Sequence, residues 1–114
     1  MQTGRVYDDP HDGSTRVLVD RLWPRGVKRE DPRIDEWLPH VAPSNELRRW
    51  YGHDPERETE FRRRYRHELV DADHAEALDA LEKLVHAGPV TLVTATREVE
   101  HSHLPVLVRA LDRR

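Results

Sequence analysis

The chain is expected to fold as a three-layer α/β domain, a small and mostly parallel sheet with helices on both faces, and three features of its 114 residues carry that expectation. Two short runs, Arg16-Val17-Leu18-Val19-Asp20 and Val90-Thr91-Leu92-Val93-Thr94-Ala95, are apolar and β-branched in the manner of strands covered on both sides. Between them lie helical stripes, with Phe61, Tyr65 and Leu69 recurring every fourth residue. Breaks at Pro10, Pro24, Gly26, Pro32, Pro39, Gly52 and Gly88-Pro89 cut the chain into short elements, and strands alternating with helices favour parallel pairing.

In chain order, Arg5 to Tyr7 begins a first strand, and residues 16–20 form a second whose carboxyl end is Asp20. Residues 34–38 are read as a further short strand, stopped by Pro39, which has no amide to give to a ladder. Ser44 is placed to cap a helix of about two turns with Leu47, Trp50 and Tyr51 on its inner face, and Gly52 ends it. Asp54-Pro55 starts the next helix as a cap followed by proline at the first helical position. Asp73 with Glu76 has capping-box spacing and opens a third helix that buries Leu78, Leu81 and Val85 before Gly88-Pro89. After the strand at 90–95 and a polar loop, Leu104, Leu107, Val108 and Leu111 share one face of a last helix that tolerates Pro105 in its first turn.

Hydrophobic and charged residues each make up 36% of the chain, which predicts one domain, residues 1–114, with a thin core wrapped in charged helices. No run approaches the roughly 20 apolar residues that span a bilayer, and the N-terminus lacks the apolar core of a signal peptide, so no membrane association and a cytoplasmic location are expected. The chain has no cysteine, which leaves oxygen, imidazole and guanidinium groups for any chemistry. Its net charge of −3 provides no general attraction for nucleic acid or an anionic membrane. The run Arg62-Arg63-Arg64-Tyr65-Arg66 is no exception, because Glu58 and Glu60 stand four residues before Arg62 and Arg64 and make it a solvated helix face. Oligomeric state has no signature in the sequence.

Two loops after strands gather the chemically able residues. The first, Asp20 to Gly26, brings a carboxylate, the forked donors of Arg21 and Arg25, and the Trp23 indole, a set suited to an anionic or planar ligand. In open α/β sheets ligands sit beyond the carboxyl ends of strands, where this loop and the second, residues 96–103, are placed. The second offers Arg97 as an anion holder, and His101 and His103 as proton carriers beside a helix N-terminus. Ser102 between them reads as a cap more than a nucleophile, and His53, beside the capping Asp54, joins the set as a candidate ligand contact. A metal would have to recruit Glu98 or Glu100, and the spacing lacks the helical two-histidine signature, so no metal is expected. Nor is an organic cofactor, since no flavin or nicotinamide fingerprint is present.

The leading functional expectation is therefore a small anionic or nucleotide-like ligand. Arg21, Trp23, Arg25, His53 and Arg97 would bind it; for any hydrolysis or group transfer, Asp20, His101 and His103 would be the catalytic groups. The rival is a regulatory or interaction module that docks a protein or nucleic-acid partner, for which Trp37 or Trp50 should lie in an exposed apolar patch.

Arg16 through Gly26, Ala42-Pro43-Ser44 through Leu47-Arg48, Tyr51-Gly52-His53-Asp54-Pro55 and Gly88 through Leu92 together resemble the YeaO-like family of bacterial proteins, over nearly the whole chain. The resemblance implies no established reaction. Longer members of the wider superfamily share a strand ending in an aspartate-arginine-proline loop and a late histidine loop that often carries a cysteine, where this chain has Ser102. The family's late segment reads alanine-alanine-arginine-aspartate with asparagine between the histidines; here it is Ala95-Thr96-Arg97-Glu98, with Ser102 between them.

Overall fold

A computed structural model describes residues 1–9 and 13–114; the break expected at Pro10 lies outside the described residues. The strands are β1 (Gln2–Arg5), β2 (Thr15–Leu18), β3 (Glu36–Trp37) and β4 (Val90–Thr94), and they form one sheet in the order β1-β4-β2-β3 with every described pairing parallel. The helices are α1 (Asn45–Tyr51), α2 (Glu58–Glu68), α3 (Ala72–Ala87) and α4 (Leu104–Asp112). The expected α/β class with a small parallel sheet is what the chain adopts. Among the described residues no helix is long and apolar enough to cross a membrane.

Several boundaries moved for local reasons. β1 ends at Arg5 because its register, Gln2 opposite Thr91 and Arg5 opposite Thr94, uses up β4. Val6 gives its amide to the Thr94 carbonyl and turns away, so the apolar residue that suggested a strand is buried just past one. Residues 34–38 keep only two strand residues, although the Asp35 and Leu38 amides still bond the Arg16 and Leu18 carbonyls. Asp71, not Asp73, caps α3 by accepting from the His74 amide. Pro55–Arg57 form a 3-10 turn before α2, with Asp54 as its cap.

The layers also differ from the expected sandwich. All four helices pack into one cluster with Val17, Val19, Val90 and Leu92, the side chains on one face of β2 and β4. Leu18 and Val93 point to the opposite face, where Val6, Val27, Ile34, Trp23 and Trp37 cover them without a helix. The covering segment, residues 20–35, contains Pro24, Pro32 and Gly26 at φ +74°, a combination that forbids helix and requires glycine. The Trp23 indole of this segment meets that of Trp37 in β3 edge to face with centroids 5.3 Å apart, and the Arg29 guanidinium lies over both rings.

Candidate functional site

Because β2 and β4 are neighbours and parallel, their carboxyl ends lie side by side, and the two loops singled out in the sequence meet. Asp20 joins them. Its carboxylate accepts from the Thr94 hydroxyl at 2.7 Å and from the Ala95 amide at 2.8 Å. Its carbonyl accepts from the Trp37 indole at 2.8 Å. His103 is buried behind it, with Nε2 donating to the Val19 carbonyl at 2.9 Å and the ring edge-on to Tyr65. A carbonyl accepts only, so the neutral ring carries its proton on Nε2 and its lone pair on Nδ1. Burial pushes the imidazole below its usual range, against the opposing pull of Asp20 and the Val19 bond.

Arg21 turns away from solvent and donates to the Ala42 and Pro43 carbonyls at 2.7 and 3.2 Å. Ala42 also accepts from His74 Nε2, while Ser44, two residues on, is held through its amide and hydroxyl by the Glu68 carboxylate. Ser44 in turn accepts from the Leu47 amide and caps α1, as its sequence position suggested. The start of α1 is thus tied to the loop after β2, to α2 and to α3. The helix turns its buried side, Leu47 and Tyr51, inward and leaves Arg48 and Arg49 exposed. It stops at Gly52 and His53, both left-handed, with φ +50° and +57°. That conformation is unusual for histidine and presents the His53 side chain to solvent at the rim.

The result is a cleft of about 590 Å³, within the range of small-molecule sites. Tyr7, Trp23, Tyr51 and Phe61 contribute its apolar wall. Arg21, Arg25, Arg48 and Arg49 line it against one carboxylate, Asp20. Arg21 is already paired with carbonyls, and Arg48 makes only a 3.4 Å contact to Asn45 Oδ1. Arg25 and Arg49 have no side-chain hydrogen bond among the described residues.

A smaller hollow of about 280 Å³ adjoins the cleft and shares Tyr51, His53 and Thr96 with it. Arg97 and His101 belong to this hollow rather than to the main cleft. His101 is exposed, with Nδ1 2.8 Å from Glu58 Oε1 and its carbonyl accepting from the Tyr51 hydroxyl. Burial works against the charge on Glu58, but the bonds from Arg62 and His101 outweigh it and hold the carboxyl below its usual range. Ser102 is buried; its hydroxyl donates to the Val99 carbonyl and accepts from the Leu104 amide, a capping arrangement one residue before the observed N-cap, His103.

The eight residues picked from sequence thus divide. Asp20, Arg21, Trp23, Arg25, His53 and His103 line the main cleft, while Arg97 and His101 line the hollow beside it. Trp37 and Trp50 are half-buried, Trp50 beneath the guanidiniums of Arg57 and Arg64. Sequence reasoning missed Arg48, Arg49 and Tyr7. Only the polar side of the short α1 stripe hinted at the two arginines, and nothing local showed that this side opens toward Asp20.

The family model of the inactive DUF488-N3 subclade matches residues 1–114. The uncharacterized protein Rv3073c of Mycobacterium tuberculosis and Mb3100c of Mycobacterium bovis are each 50% identical over 116 aligned positions, covering 100% of this chain and 95% of theirs. The uncharacterized protein YeaO of Escherichia coli is 38% identical over 109 positions, covering 94% of this chain and 92% of its own. No solved structure gives a significant match.

Proposed function

This chain belongs to the inactive DUF488-N3 subclade and is a YeaO-like protein, and from that premise we propose that it binds a small anionic, nucleotide-like ligand in the main cleft without transforming it. The observation that carries the proposal is the concentration on the rim of guanidiniums with no salt bridge among the described residues. A chain with net charge −3 places Arg25, Arg48 and Arg49 around one concavity and answers them with a single carboxylate already bonded to Thr94 and Ala95. Guanidiniums with no carboxylate partner among the described residues, around an apolar-walled cleft, suit a phosphate or carboxylate attached to a flat, apolar body. Arg21 holds the floor, Trp23 and Tyr51 wall the cleft, and His53 lies where the two hollows join.

Turnover has less support. Asp20 accepts two hydrogen bonds that close the sheet end, His103 is buried with Nε2 donating to Val19, and His101, whose Nδ1 pairs with Glu58, lines the adjoining hollow rather than the cleft. A general base needs a free lone pair within reach of its proton. Of the imidazoles lining the cleft, His103 is buried and His53 is exposed at the rim, and the Ser102 hydroxyl donates to the Val99 carbonyl rather than standing free as a nucleophile.

A thermal-shift panel of nucleoside monophosphates, inorganic pyrophosphate and small carboxylates tests the reading. A ligand at one hundred times its dissociation constant adds about 2.7 kcal/mol, an upward shift on the order of 10 °C for a domain of this size. The parent protein should shift, and an Arg48→Ala, Arg49→Ala variant, both positions being exposed, should keep its ligand-free midpoint and lose the response. An equal shift in parent and variant would remove the rim arginines from the account.

A further inference from the structure

A second cavity, about 720 Å³, lies between α2, α3 and α4 and shares no lining residue with the cleft. Its floor is aliphatic: Leu69, Val70, Leu78, Val106 and Ala110. Val70 is 80% exposed, the most exposed of the large apolar residues described. Its walls carry Arg62, Arg66, Arg109, Arg113 and Arg114, and no carboxylate lines it among the described residues. Arg62 is paired with Glu58, and Arg114 with Asp79 and Glu82. Arg66, Arg109 and Arg113 are exposed and have no side-chain hydrogen bond or ion pair among the described residues.

We infer that this groove docks an acidic amphipathic helix of a partner protein. Charge complementarity selects carboxylates, since three unpaired guanidiniums flank the floor in a chain that is acidic overall. The floor selects aliphatic anchors. It offers no aromatic side chain on which a base could stack, which weighs against single-stranded nucleic acid. The walls are helices whose backbone groups are already bonded within themselves, so no sheet edge is available and the occupant must satisfy its own backbone. A helix does this while presenting apolar anchors at four-residue spacing with acidic residues beside them.

The test is fluorescence anisotropy with a labelled helical peptide of leucines at four-residue spacing flanked by glutamates. Beside it run the same peptide with glutamines for glutamates, and a single-stranded oligonucleotide. The acidic peptide should bind the full-length protein and weaken as salt rises. Its affinity should fall on the order of tenfold or more in an Arg66→Glu, Arg113→Glu variant, and by a similar factor when the glutamates become glutamines. An Arg63→Glu variant, on the same helix but paired with Glu60 outside the groove, should bind as the parent does. The inference is overturned if the acidic peptide fails to bind or is indifferent to the double variant, or if the oligonucleotide binds more tightly. It is also overturned if sedimentation shows a dimer of this chain that the double variant dissociates, since the groove would then be covered by a second copy.

Discussion

Asp20 is placed where an acid-base residue would be sought, at the carboxyl end of a central strand, yet its oxygens hold the ends of β2 and β4 together. Removing it leaves a buried hydroxyl and an amide without their acceptor, at a cost of about 1–3 kcal/mol. Asp20→Ala should therefore lower the urea midpoint even with no ligand present; an unchanged midpoint would return the carboxylate to the list of functional groups. His103 has a pH signature of its own. Burial lowers its folded-state pKa below the unfolded value of 6.5, so the unfolded chain takes up a proton first as pH falls. The stability contributed by the neutral ring is present above about pH 6.5 and declines below it, down to the folded pKa. The melting midpoint should drop between pH 7.5 and 5, and drop less in His103→Gln, which can still donate to the Val19 carbonyl. Equal pH dependence in the two proteins would contradict a buried neutral histidine. At this scale the sequence shows which residues have able groups. It does not show which of those groups are already spent, because the partners Thr94, Ala95 and Val19 lie on other strands or at the far end of the chain.

At the scale of elements, α1 is the part that makes the cleft cationic, and its position depends on its first turn. Ser44 caps it, Glu68 grips Ser44, and Arg21 and His74 fix the residues just before. Ser44→Ala removes both the cap and a hydrogen bond to a carboxylate, which should cost about 1–2 kcal/mol in chemical denaturation. The same variant should weaken whatever anion the cleft binds, through Arg48 and Arg49, although Ser44 does not line it. Loss of stability with unchanged affinity would mean that α1 keeps its place without its cap. The helices were legible because each carries its own period, as Phe61, Tyr65 and Leu69 do, or its own stop, as Gly52 does. Strand limits were less so, since β1 ends where its partner ends rather than where its own apolar residues do.

For the whole molecule, the decisive fact is strand order. Nothing in the local patterns of β2 and β4 says that they are adjacent, and only adjacency brings the loop at Asp20 to the loop at Ala95. The same holds for layering. Both faces of the strands are apolar, which suggested helices on each, but Pro24, Gly26 and Pro32 left the second face to an irregular segment stacked with Trp23 and Trp37. That segment carries Arg25, the α1 side carries Arg48 and Arg49, and the cleft lies between them. The proposed anion site is thus a property of the assembled fold, drawn from separate stretches of chain that carry no common motif.

The most direct measurement is a two-dimensional amide NMR titration of the uniformly labelled protein with adenosine monophosphate. An anion site in the main cleft should give saturable shifts concentrated at residues 20–25, 48–53 and 95–97, with the groove of Arg66, Arg109 and Arg113 unaffected. Shifts confined to that groove, or none at millimolar ligand, would contradict an anion site at the carboxyl ends of β2 and β4.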